Sequence, residues 1–250
     1  VQMVMFSELV ANGASTEHAQ PFPSPMESMF CELALLHRIW LIPGSMFERD
    51  GDRIYNTLSV ISPQGEVVCR YRKMFPFRPY EQGVEGGSVF GVFDVPAVGR
   101  FGVSICYDMW FPETTRTLVS MGAEVILHPT MTDTVDRDIE LSIARTNAAI
   151  NQCYFFDFNG TGAMGNGRSI VVGPSGDVLH QCGVGEEIVP VEVDFNRVRR
   201  ERERGLHGLG QPLKSFRDRS VNFSLYSSEN GSSPFLDALG PLAKPVRNEV

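Results

Sequence analysis

The chain has 250 residues, 42% of them apolar and 21% charged, and carries a formal charge of -8. That balance excludes a nucleic-acid partner, since phosphate binding takes a basic surface, and no apolar run approaches the ~18 residues of a membrane span. Five cysteines, Cys31, Cys69, Cys106, Cys153 and Cys182, lie scattered without CxxC spacing; this argues against a disulfide framework or a structural zinc site and for a soluble protein of the reducing cytoplasm.

In chain order, VQMVMF (1–6) reads as a buried strand that stops at Ser7 and Glu8, and the Pro/Ser-rich stretch through Pro25 reads as loop. Residues 27–38 suit a helix, and RIWLIPGSMF (38–47) suits a strand. NTLSVIS (56–62) and EVVCRYRK (66–73) flank Pro63-Gln64-Gly65, which predicts a β-hairpin. The pattern returns in GRSIVVGPSGDVLHQC (167–182), as if two similar halves shared one sheet system. Between the hairpins the expected order is strand 89–95, strand 101–106, helix 111–121, strand 124–128, helix 137–150 and strand 152–158. Such alternation implies α/β layers. GTGAMGNG (160–167) leads into a strand rather than a helix, so it reads as a loop and not as a dinucleotide-binding turn. The basic run 197–204 is interleaved with Glu201 and Glu203 and reads as a solvated helix face. One domain is expected over residues 1–226, with a tail of loop composition over 227–250.

The stretch FGVSICYDMWFPETTR (101–116) poses the chemical question. It puts Cys106 at a strand end, just before a helix whose first turn holds Pro112 and Glu113. A thiol there is either one more buried core cysteine or a nucleophile beside free backbone N–H groups, which lower its pKa and hold an oxyanion. Its proton acceptor is either His128, at the end of the next strand, or a carboxylate. Glu8 and Lys73 both end strands, where α/β proteins gather reactive groups, and Glu81 follows on a Pro/Gly-rich loop.

Glu8 in MFSEL, Lys73 in YRKMFPF and Cys106 in GVSICYDMWFPE, in that order, resemble the Glu-Lys-Cys signatures of the nitrilase, or carbon–nitrogen hydrolase, superfamily. The resemblance continues through ARTNAAINQCYFFDFNGTG, GRSIVVGPSGDVL and VEVDFNRV. Ser7 stands where the family usually has proline, and Phe75 replaces a frequent histidine. The resemblance implies a four-layer αββα sandwich that associates into homodimers or larger assemblies. It implies that Glu8 takes the thiol proton, Cys106 attacks the amide carbon to give a thioester, Lys73 and the Tyr107 N–H hold the oxyanion, and Glu81 positions substrate and water. No metal or organic cofactor is needed for this chemistry.

KMFPFRPYEQG is closest to the aliphatic-amidase and formamidase branch, which implies a small amide substrate. Phe77, Tyr107, Trp110 and Met131 are the candidate pocket residues, equally at home in a core, and Arg78 or Arg145 could hold a carboxylate. A nitrile or an N-carbamoyl amine on the same triad remains an alternative, as does a catalytically silent binding or assembly module. Because the family places a strand and a helix, on the order of 30 to 40 residues, ahead of its glutamate strand, the resemblance also implies that a native front precedes Val1.

Overall fold

A computed structural model describes residues 2–226 and 233–244. The strand-forming segments condense into two six-stranded sheets. The first half of the chain supplies β1 (Met3–Met5), α1 (Pro25–His37), β2 (Trp40–Ile42), β3 (Ser45–Asp50), β4 (Arg53–Ile61), β5 (Val67–Arg72) and β6 (Val84–Glu85). Next come β7 (Gly91–Val95), β8 (Gly99–Val103), a 3-10 turn (Cys106–Trp110), α2 (Pro112–Ser120), β9 (Val125–Thr130), α3 (Asp136–Asn151) and β10 (Tyr154–Asn159). The chain continues through β11 (Ile170–Val172), β12 (Val178–Gln181), α4 (Phe195–Arg204), α5 (Pro212–Asp218) and α6 (Pro234–Asp237).

The first sheet is built around β4, which pairs with β2 and β3 as well as β5 and β6, while β1 lies parallel beside β2. The second runs β12-β11-β10-β9-β8-β7, parallel at its centre and antiparallel at both edges. Ile42, Leu58, Val60 and Tyr71 of the first sheet pack against Phe101, Val103, Leu127 and Phe156 of the second. Burying each such side chain is worth about 1.5–3 kcal/mol. On the outer faces, Ala34 of α1 meets Leu41 and Ile61, and Leu118, Leu141, Ala144 and Ala148 of α2 and α3 meet Ile126, Phe155 and Val172. The result is the four-layer αββα sandwich.

Local chemistry explains the boundaries. Ser24 caps α1 by accepting the Glu27 N–H, Pro25 occupies the first turn, and Arg38 ends the helix in the left-handed conformation. The expected strand 38–47 is broken at Pro43-Gly44 into β2 and β3, because Gly44 has φ 77 and a Cβ there would collide with the Ser7 carbonyl oxygen. Both hairpins form, but one lies in each sheet rather than both in one. The expected helix 111–121 starts at Pro112 and is preceded by a separate 3-10 turn, so Cys106 opens a turn instead of ending a strand.

The basic run is only partly solvated. Arg199 pairs with Glu124, Arg197 with Asp177, and Arg202 donates to the carbonyls of Ala123 and Gln152, pinning α4 to the second sheet. Of the tail expected from residue 227, residues 233–244 contain α6, while 227–232 and 245–250 lie outside the described residues, as does Val1. Among the described residues no helix is long and apolar enough to cross a membrane.

Candidate active site

Three chain reversals deliver the reactive groups to one place. The segment after β1 carries Glu8, whose N–H donates to the Thr130 carbonyl at the end of β9 (3.4 Å). Lys73 directly follows β5, and its N–H donates to the Asn56 carbonyl at 2.8 Å. Cys106 begins the turn after β8 with φ 46, a left-handed conformation unusual for a residue with a Cβ.

Lys73 Nζ donates to Glu8 Oε1 at 3.0 Å and to Glu81 Oε2 at 2.8 Å. Asn56 Nδ2 donates to the same Glu8 oxygen at 2.8 Å. Glu81 Oε2 also accepts the Phe77 N–H, which ties the 77–81 loop to the lysine. The Cys106 thiol is buried next to the Glu8 carboxylate and the backbone N–H of Met131, and each of them acts on its proton affinity. Glu8, Lys73 and Cys106 are only 2%, 1% and 8% exposed.

Dry surroundings set the protonation. Burial raises the Glu8 carboxyl above its ordinary value, against the pull of Lys73. Burial, then the Glu8 charge, push the Cys106 thiol well up, with Lys73 and the Met131 N–H opposing. Burial disfavours the Lys73 charge, yet Glu8, the sulfur and Glu81 together hold its pKa well above the ordinary value. The resting centre is therefore an ammonium, a carboxylate with enhanced affinity for a proton, and a thiol in contact with it.

His128 is fully buried beside this group, near the Cys106 backbone. Its Nδ1 meets Ser104 Oγ at 2.7 Å, and burial pushes its pKa down to about 4, so the ring is neutral. Glu8, not His128, is the side chain on the thiol.

Two supporting residues escape sequence reasoning. Asn56 sits mid-strand in NTLSVIS and gives no signal of its own. Asp108 is fully buried and accepts from Tyr71 Oη (2.6 Å) and from the N–H groups of Ile105 (2.9 Å), Met74 (3.1 Å) and Phe75 (2.8 Å). It locks the cysteine turn to the lysine loop; its acid placed at the third position of a turn is the one sequence hint.

The candidate pocket residues form a half-buried aromatic run. Phe77 stacks edge-on to Tyr107 at 5.0 Å, and Tyr107 lies 6.0 Å from Trp110. Phe75, at the position where histidine is frequent, stacks on Phe111 at 3.6 Å. The Met131 side chain joins the cluster of Leu9, Phe47 and Val84. Arg78 donates to the Val84 carbonyl at 2.9 Å and Arg145 to the Gly176 carbonyl at 3.1 Å, so both guanidinium groups are engaged by backbone.

A family model for carbon-nitrogen hydrolase matches residues 1–203. The chain is 28% identical to an omega-amidase of Homo sapiens over 202 residues, which is 75% of this chain and 73% of that protein. It is 30% identical to a 2-oxoglutaramate amidase of Bacillus subtilis over 183 residues, 71% of this chain and 70% of that one. A solved structure from Saccharomyces cerevisiae, a member of branch 10 of the nitrilase superfamily, superposes with a TM-score of 0.74 at 28% identity, covering 81% of this chain and 80% of that one. Sequence, fold and this buried acid–ammonium–thiol centre agree: the chain belongs to the carbon–nitrogen hydrolase family, the nitrilase superfamily, and is an enzyme of amide hydrolysis.

Proposed function

We propose that this enzyme hydrolyses a small, slender amide to a carboxylic acid and ammonia through a thioester on Cys106. The observation that carries the reading is the buried pair of Lys73 Nζ and Glu8 Oε1, 3.0 Å apart, with the buried Cys106 thiol beside it. Glu8 takes the thiol proton as sulfur bonds to the amide carbon, and the carbonyl electron pair moves to oxygen. Lys73 and the Tyr107 N–H stabilise that oxyanion. Protonated Glu8 gives its proton to the leaving nitrogen, the C–N bond breaks and ammonia departs. Water then attacks the thioester, again losing a proton to Glu8, and the C–S bond breaks to release the acid and restore the thiol. Glu81, on the far side of Lys73, orients substrate and water.

The burial of Cys106, 8% exposed, and the aromatic side chain of the adjacent Tyr107 favour short unbranched substrates. A second reading, the terminal amide of a 2-oxo dicarboxylic acid, is favoured by the names of the relatives. Five free cysteines support work in the reducing cytoplasm. Exposed Phe216, Phe223 and Tyr226 support assembly into a homodimer or larger.

Ammonia release from a panel of aliphatic amides, 2-oxo acid amides, nitriles and N-carbamoyl amines separates the readings. Turnover of short amides, with an acyl adduct on Cys106 by intact mass, is expected. Turnover of 2-oxo acid amides with short aliphatic amides left intact would favour the second reading over the first.

A further inference from the structure

The second hairpin, β11–β12, carries a cluster that the hydrolytic centre does not use. His180 is the next-to-last residue of β12, Cys182 lies just past the strand's end, and the chain then doubles back so that Glu187 meets His180. The reversal has a visible cause. Gly167 has φ 70, and a Cβ there would lie 2.8 Å from both the Gly183 carbonyl oxygen and the Val184 Cα. Only glycine lets the loop approach that closely. Two backbone bonds clamp the crossing: Cys182 N–H to Ser169 O and Arg168 N–H to Gly183 O, both 2.8 Å.

The outcome is one imidazole, one thiol and one carboxylate whose donor atoms all lie within 4.8 Å of one another. His180 Nε2 and Glu187 Oε1 are 2.5 Å apart, with their side chains 42% and 38% exposed, while Cys182 is buried behind them. Zinc binds cysteine sulfur, histidine nitrogen and carboxylate oxygen at about 2.0–2.3 Å, which sets donor separations in a tetrahedron near ~3.5 Å. Small side-chain rotations on an exposed edge bring these three donors to that spacing.

We propose that His180, Cys182 and Glu187 form a binding site for a divalent cation of zinc-like softness, separate from the hydrolytic centre. The thiol proton passes to solvent as sulfur takes the metal, and no redox step is involved. The mixed set H-x-C-x4-E lacks the paired-cysteine spacing by which zinc sites are usually read from sequence. Metal bound here staples residues 183–186 to β12 and stabilises the folded chain by mass action.

The test uses the full chain carrying Cys106→Ala, so that the hydrolytic thiol cannot compete for metal. Chelator-treated protein is titrated calorimetrically with Zn2+, and with Co2+ while the thiolate-to-cobalt absorption is followed. One equivalent is expected, with a rise in Tm on Zn2+ addition. Cys182→Ser and His180→Gln should each weaken binding by at least about 10–100-fold, the effect that even outer partners of metal ligands exert, and should remove the sulfur-to-cobalt band or alter it. His180→Gln and Glu187→Gln change exposed side chains and remain readable if Cys182→Ser fails to fold. Absence of metal uptake by the Cys106→Ala protein, or uptake indifferent to all three substitutions, would overturn the site.

Discussion

Two buried charge clusters flank the end of β9, and they are put together differently. In one, Arg137 Nη1 pairs with Asp157 at 2.6 Å and Glu140 at 3.1 Å, while Thr130 Oγ1 and Thr132 Oγ1 donate to the remaining oxygens at 2.7 Å and 3.0 Å. Each carboxylate there uses both oxygens on fixed donors, and Arg137 is wholly buried. In the other, Lys73 and Asn56 share a single oxygen of Glu8, and the carboxylate's further contact is a thiol that can lose its proton. The saturation of its carboxylate oxygens makes the first cluster structural. The labile partner makes the second chemical, although both hold two carboxylates around one cation in the same dry layer. Burial alone thus does not mark a reactive site; a proton with somewhere to go does.

Three substitutions and one pH measurement press on that contrast. Cys106→Ala should lower ammonia release by about 10⁶-fold, as loss of a covalent nucleophile does elsewhere, while the thermal melt stays near that of the parent. Glu8→Gln keeps the shape but cannot accept a proton, and should cost about 10²–10⁴-fold in kcat. Because burial raises the Glu8 pKa, the acid limb of kcat/KM in the parent should lie above the 4.5 of an ordinary glutamate. Arg137→Met should do the reverse, removing about 3–5 kcal/mol from stability in urea melts by stranding Asp157 and Glu140, with the folded fraction still releasing ammonia. A large turnover loss per folded Arg137→Met molecule would erase the distinction between the clusters.

The smallest effect is a slope. His128 lies between the clusters with a pKa of about 4, and Asp108 in the cysteine turn sits at about 6, burial being the main cause of both. A histidine lowered from 6.5 contributes stability that is present above 6.5 and lost as pH falls through 4. An aspartate raised from 3.8 contributes stability that is present below 3.8 and lost as pH rises through about 6. Between pH 4 and 6 the two oppose each other. Relative to the parent, His128→Gln should tilt stability downward with rising pH in that window, and Asp108→Asn upward, each by roughly 1 kcal/mol per pH unit. Parallel curves for all three proteins would show that neither group titrates as placed.

What could be read in advance follows the range of each interaction. Glu8, Lys73 and Cys106 are legible because each sits in its own short motif just beyond a strand. Asn56 is not, since its bond to Glu8 spans 48 residues and nothing in NTLSVIS separates a strand-filling asparagine from a clamp. Asp108 reaches Tyr71 across 37 residues, and Arg137 reaches Asp157 across 20, closures that only the stacked sheets create. Boundaries failed where a neighbour intruded. The Ser7 carbonyl splits 38–47 at Gly44, and the turn holding Cys106 pushes the start of α2 to Pro112.

Cys106 holds φ 46, and Leu9, directly after Glu8, holds φ 54. A side chain in that region costs about 1–2 kcal/mol that glycine does not incur. At position 106 the residue that best fits the backbone is therefore the one with no atom to attack with. On the proposed mechanism, stability and turnover therefore pull in opposite directions at this position, and Cys106→Gly is expected to give a sturdier but inert protein.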